Sequence, residues 1–126
     1  MSKIIIETTN APSPIGPYSQ ATMAGNMLFI SGQIGTAPTT GEHINSDIQA
    51  ETHQVMQNLK AILSEAKANF SNIVKTTIFL SDMELFGEVN TIYGQYFEGE
   101  FPARETVAVK GLPKNVNVEI SAIAVV

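Results

Sequence analysis

The side chains best suited to chemistry lie in Phe101 to Glu119, FPARETVAVKGLPKNVNVE. Arg104 and Glu119 are a cation and a carboxylate set into otherwise apolar, alternating runs. Charges in such runs are costly to bury unless they are paired or used. If both runs are strands of one sheet, Arg104 and Glu119 can share a face, and two readings then stand side by side. In the first, they form an ion pair that serves the fold alone. In the second, the planar guanidinium grips the carboxylate of a small organic acid in bidentate fashion. Glu119 would then orient water or move a proton, with no cofactor. Tyr18 follows a proline-rich loop and could close or hydrogen-bond such a pocket. Ser31-Gly32 ends an apolar run, where a glycine marks a bulge or a close approach to the backbone.

Other chemistries have less support. His43 sits in a polar loop and His53 on the polar side of a helix, neither with a Cys or second His at ligand spacing, so no metal site is expected. There is no Gly-x-Ser-x-Gly elbow and no phosphate-binding glycine loop. The chain has no cysteine, which excludes disulfides, thiol catalysis and thiolate metal sites. Twelve acidic against seven basic residues give a net charge of -5, which weighs against electrostatically driven nucleic-acid binding. Asp82 and Glu84 fit acids at a helix N-terminus. The opening MSKIIIETTNAP has only three consecutive Ile, too short for a signal-peptide core. No apolar run reaches the length of a membrane span, and the cytoplasm is the expected location.

These residues need elements to position them. At 126 residues, 44% apolar and 15% charged, the chain is expected to form a single domain over 1–126 with a substantial core. Lys3 to Glu7 reads as a strand. Asn10 to Pro17 holds three prolines and must be a stiff loop. Ser19 to Ala24 and Met27 to Ser31 read as strands joined by a Gly25-Asn26 hairpin turn. Ser46 with Gln49 suggests a capping box for a helix whose apolar face is Ile48, Val55, Leu59, Ile62, Leu63 and Ala66. Ile73 to Leu80 is strongly β-prone. Ser81 with Glu84 suggests a second capping box, before a helix with Phe86, Val89, Tyr93 and Tyr96 or Phe97 on its apolar face. Asn90 lies at the edge of that face.

The resulting order, β-β-β-α-β-α-β-β, predicts an α+β fold: a mixed sheet with two helices on one face. The last run is apolar on both sides, with Val118, Ile120, Ala122 and Ala124 on one and Ile123 and Val125 on the other. The uncovered face calls for a partner, most simply another copy of the chain.

Several stretches together resemble the RidA family, also called YjgF/YER057c/UK114. They are Tyr18 after the proline-rich loop, Ser31-Gly32-Gln33, Val89-Asn90-x-x-Tyr93, Phe101-Pro102-Ala103-Arg104, Leu112-Pro113 and Val118-Glu119-Ile120. The resemblance implies a chorismate-mutase-like α+β fold and a homotrimer with sites in clefts between subunits. It also implies hydrolytic deamination of reactive enamine and imine acids (2-aminoacrylate with its tautomer 2-iminopropanoate, and 2-iminobutanoate) to 2-oxo acids and ammonia. Arg104 then matches the carboxylate binder, Glu119 the residue that places or activates water, and Tyr18 the tyrosine lining the pocket. Ser31, Gly32, Asn90 and Thr106 match substrate-side positions. Many members have Ser-Cys directly after the arginine, whereas this chain has Glu105-Thr106. Thr106 should face the pocket with Arg104, and Glu105 should face away. Two other functions compete: a regulatory protein that binds 2-oxo acids without turnover, and a ribonuclease or translation inhibitor.

Overall fold

The computed structural model describes residues 2–126. Its elements follow the expected order: β1 Ile4–Ile6, β2 Ala21–Ala24, β3 Met27–Gln33, α1 Ile48–Glu65, β4 Ile73–Leu80, α2 Phe86–Gly94, β5 Ala103–Ala108 and β6 Val118–Val125. The strands form one six-stranded sheet in the order β1-β2-β3-β6-β4-β5. All neighbours are antiparallel except β4 and β5, which are parallel and joined through α2. The β2–β3 hairpin turns at Gly25, whose φ of 61° is left-handed and costs glycine little. The fold is therefore α+β, as the pattern predicts.

Both helices pack on one sheet face. Leu28, Ile30, Ile78, Leu80, Val118 and Ile120 point to that face and meet Val55, Leu59, Ile62 and Leu63 of α1, all buried. The strict alternation of buried and half-buried residues along β6 puts Ala122 and Ala124 in the core and Ile123 and Val125 on the other face, as expected. That open face also carries Ile5, Phe29 and Val107, which are 48%, 41% and 44% exposed.

Neither expected capping box forms. The α1 cap is Asp47, one residue past Ser46, whose Oδ1 accepts from Ala50 N at 2.7 Å. Asp is as good a cap as Ser, so spacing alone could not choose between them. After β4, Asp82 caps a short 3-10 turn, Met83–Leu85, and α2 begins only at Phe86. Ser81 instead donates its hydroxyl to Asn117 Oδ1. The chain leaves α2 at Gly94, so Tyr96 and Phe97 lie beyond the helix, with Phe97 stacked near Tyr93 at 4.9 Å between centroids.

Candidate functional site

Strand register decides how the two charged residues are related. Arg104 on β5 stands beside Thr76 on β4, and Glu119 on β6 stands beside Phe79 on the same strand. Thr76 and Phe79 are an odd number of positions apart, so they point to opposite faces of the sheet. Arg104 therefore lies on the helix-covered face and Glu119 on the open face. Of the arrangements the sequence left open, this excludes a shared face within one chain, and with it an intramolecular Arg104–Glu119 ion pair. Alternation within each strand was legible, but the parity between strands depends on pairing register, which the sequence does not print.

Glu119 sits in a cleft of about 790 Å³ at the end of the open face. Strand β3 bulges between Ile30 and Gln33, and Gly32 lies in that bulge directly beneath the Glu119 carboxylate. A Cβ on Gly32 would overlap that carboxylate. Both readings of the glycine thus hold: the strand bulges, and a functional group lies on its backbone. Among the described residues, no hydrogen bond or ion pair engages the Glu119 carboxylate, and burial holds it above the usual carboxylate range. Ser31 fixes the neighbouring chain, its hydroxyl donating to Ser19 O at 2.6 Å and its N–H to Gln20 O at 2.9 Å. Tyr18 lines the cleft and is 52% exposed. The loop leading to it is pinned by Gln20, which accepts from Thr8 N and donates to the carbonyls of Thr8, Ala11 and Pro12. Gln20 was missed from the sequence because a lone Gln between loop and strand carries no pattern.

Arg104 sits in a separate hollow of about 440 Å³ lined by Asn90, Tyr93, Gly94, Phe101 and Pro102. Its Nη1 donates to Asn90 Oδ1 at 2.7 Å. The guanidinium carbon lies 5.6 Å from the Phe86 ring centroid and 5.1 Å from that of Tyr93, a cation–π clamp. Tyr93 is itself fixed by a 2.8 Å hydroxyl contact with Thr76; burial raises its phenol above the ordinary range, against that bond and the Arg104 charge. Asn90 is thus a partner of Arg104, not merely a solvated helix residue.

Thr106 shares the Arg104 face, but its hydroxyl is buried without a partner and does not line the hollow, contrary to expectation. Glu105 points away, accepting from the Thr77 hydroxyl at 2.6 Å with Lys75 Nζ at 3.3 Å. The Thr77 bond and then Lys75 hold its carboxyl below the usual range. Among the described residues there is no group of three or more His, Cys, Asp or Glu arranged to hold a metal, and no helix long and apolar enough to cross a membrane.

The family model described as Endoribonuclease L-PSP matches residues 8–126. The chain belongs to this family, the RutC/RidA family. One relative, a RutC family protein of Pyrococcus horikoshii, is 51% identical over 97% of each chain. Another, from Mus musculus and named 2-iminobutanoate/2-iminopropanoate deaminase, is 48% identical over 99% of this chain and 95% of its own. The crystal structure of the Rid family protein YyfA from Yersinia pestis superposes with a TM-score of 0.96 at 49% identity, over 99% of this chain and all of that one. Membership in the Rid family bears out the resemblance carried by the motifs, and the shared architecture is consistent with the chorismate-mutase-like description.

Proposed function

We propose that this Rid protein is a hydrolytic deaminase of small reactive imine acids, including 2-iminopropanoate and 2-iminobutanoate, and of the enamines that tautomerise to them. One observation carries the reading: Glu119 is an unpaired, half-buried carboxylate with raised proton affinity, laid on a glycine backbone in an open cleft. A carboxylate poised in this way suits general acid–base work. The name borne by the Mus musculus relative supports the same chemistry.

In this reaction, Glu119 takes a proton from water as its oxygen bonds to C2 of the imine. Glu119 returns that proton to the imine nitrogen to give a carbinolamine, then relays the carbinolamine hydroxyl proton to the same nitrogen as the C–N bond breaks, releasing ammonia and the 2-oxo acid. Arg104 holds the substrate carboxylate, its guanidinium already oriented by Asn90, Phe86 and Tyr93. Because Arg104 and Glu119 face opposite sides of one sheet, a site that uses both takes them from two copies of the chain. The apolar open face, with Phe29, Val107 and Ile123, supplies the contact surface for a homotrimer. Tyr18, Ser31 and Gly32 line the Glu119 half, and Asn90 supports the Arg104 half. The enclosed Thr106 contributes only its strand position. The net charge of -5 continues to weigh against RNA as a substrate.

The test is release of 2-oxo acid from 2-aminoacrylate generated in situ. Purified protein should accelerate it over buffer. A rate equal to buffer, with tight binding of a 2-oxo acid, would replace this reading with that of a binding protein.

A further inference from the structure

The least expected group in the molecule is Glu51. It stands in the first turn of α1, where a carboxylate usually does no more than complement the helix dipole from solvent, yet it is fully buried. A buried carboxylate is tolerated only when its oxygens are satisfied. Glu51 Oε2 accepts from Asn117 N at 2.8 Å and Oε1 from Asn117 Nδ2 at 2.9 Å, while His43 Nε2 lies 3.2 Å from Oε2. The carbonyl and side-chain oxygen of Asn117 are taken in turn by Ser81, through its N–H at 2.9 Å and its hydroxyl at 3.0 Å. Asn117 is thereby bolted on all its polar groups, two residues before Glu119.

Glu51 also packs behind the loop that supplies another part of the cleft lining. Gly35 packs so closely on Glu51 that an added Cβ would lie 3.0 Å from both its Cγ and its carbonyl oxygen. His43 pairs with Thr36 across the loop that carries Thr36, Ala37, Pro38 and Gly41 into the cleft lining. About two turns along the same helix, buried Asn58 donates to the carbonyls of Ile34 and Thr36. Helix α1, remote from the reacting groups in sequence, therefore holds both the wall loop and the start of β6.

We propose that Glu51 is a positioning residue: by clamping Asn117 and the residue 34–44 loop, it sets where Glu119 lies in its cleft and how closely the cleft excludes water. This rests on the reading of Glu119 as the group that handles water. It acts on the Glu119 half alone and leaves the Arg104 hollow untouched. Loss of the clamp therefore lowers turnover more than it weakens carboxylate binding. It also admits water to Glu119, which lowers the pH at which that group titrates. Tyr18 and Lys114 are the other ionisable side chains lining the cleft, and His43 is the one against Glu51.

The experiment compares the full-length chain with Glu51→Ala, Glu51→Gln and Asn117→Ala. It reads the carboxyl-carbon NMR titration of Glu119, with kcat and KM for imine hydrolysis. Glu51→Ala and Asn117→Ala are expected to shift the Glu119 titration down by about half a pH unit or more. In both, kcat should fall roughly ten- to a hundredfold while KM stays within about twofold. Glu51→Gln should recover most of both, because a flipped Asn117 amide can pair with the glutamine amide and still meet the Ser81 hydroxyl. Asn117→Ala keeps its backbone bond to Glu51 and serves as the readout should Glu51→Ala not fold. A wild-type Glu119 titration in Asn117→Ala and in every folded Glu51 variant overturns the proposal. A shifted titration in a protein that hydrolyses no imine, wild type included, upholds the clamp and removes the deaminase reading instead.

Discussion

Arg104 is oriented before any ligand arrives, by one hydrogen bond and two aromatic faces, and among the described residues no carboxylate pairs with it. Arg104→Ala should therefore cost at most about 2 kcal/mol of stability, the scale of two cation–π contacts, and not the roughly 3–5 kcal/mol of a broken buried ion pair. Affinity for a 2-oxo acid should fall about ten- to a hundredfold, and Arg104→Lys should fall between. Melting and ligand titration of the same variants check both halves. Glu119 carries a different signature. Burial raises its carboxyl in the folded state, so the folded chain binds that proton more tightly than the unfolded one. Its contribution is most favourable below the unfolded carboxyl range and is lost as pH rises through the folded value. Glu119→Gln should thus melt higher than wild type at pH 7, converge with it in acid, and turn over substrate a hundredfold or more slowly. A lower melting temperature at pH 7 would show that the carboxylate is satisfied in a way that its surroundings do not suggest. Both residues stood out in the sequence, as charges in apolar runs. The clamps around them were not, because Phe86 and Tyr93 read simply as the apolar face of a helix.

At the scale of elements, the β3 bulge determines how close Glu119 comes to the backbone. Gly32→Ala should leave the fold nearly unchanged, since the obstructing atoms are the tip of a flexible side chain, yet displace the carboxylate and lower turnover about tenfold or more. Steady-state kinetics beside a thermal melt distinguishes this from general damage, and a wild-type rate would mean that the carboxylate works from another position. The elements themselves were readable because period-two and helical patterns are strong in β4, β6 and α1. Their ends were not, because Ser46 and Asp47, or Ser81 and Asp82, compete as caps on nearly equal terms. Gln20, Glu51 and Asn58 escaped notice for another reason: a polar residue satisfied by distant backbone leaves no local trace.

For the whole molecule, the decisive fact is that β5 and β6 are separated by β4 and present their charges to opposite sides. Two impaired variants, Arg104→Ala and Glu119→Gln, should then complement each other when co-assembled. In a randomly mixed trimer population, three quarters of the assemblies contain both chains, and each of these has one intact junction in three. Activity should return to roughly a quarter of wild type. Mixing without recovery would place both residues in a site built by one chain. The two-sided apolar pattern of the last strand was visible in the sequence, but the division of charges between faces emerged only with the register.

That division also bears on dosage. A chain whose two charges never meet within its own fold has no activity to lose on dilution except through its neighbours, so specific activity per chain should depend on abundance. If the site is built by two copies of a trimer, output should rise with about the third power of concentration below the assembly constant and in simple proportion above it. A cell carrying this protein would thereby set a threshold as well as a rate.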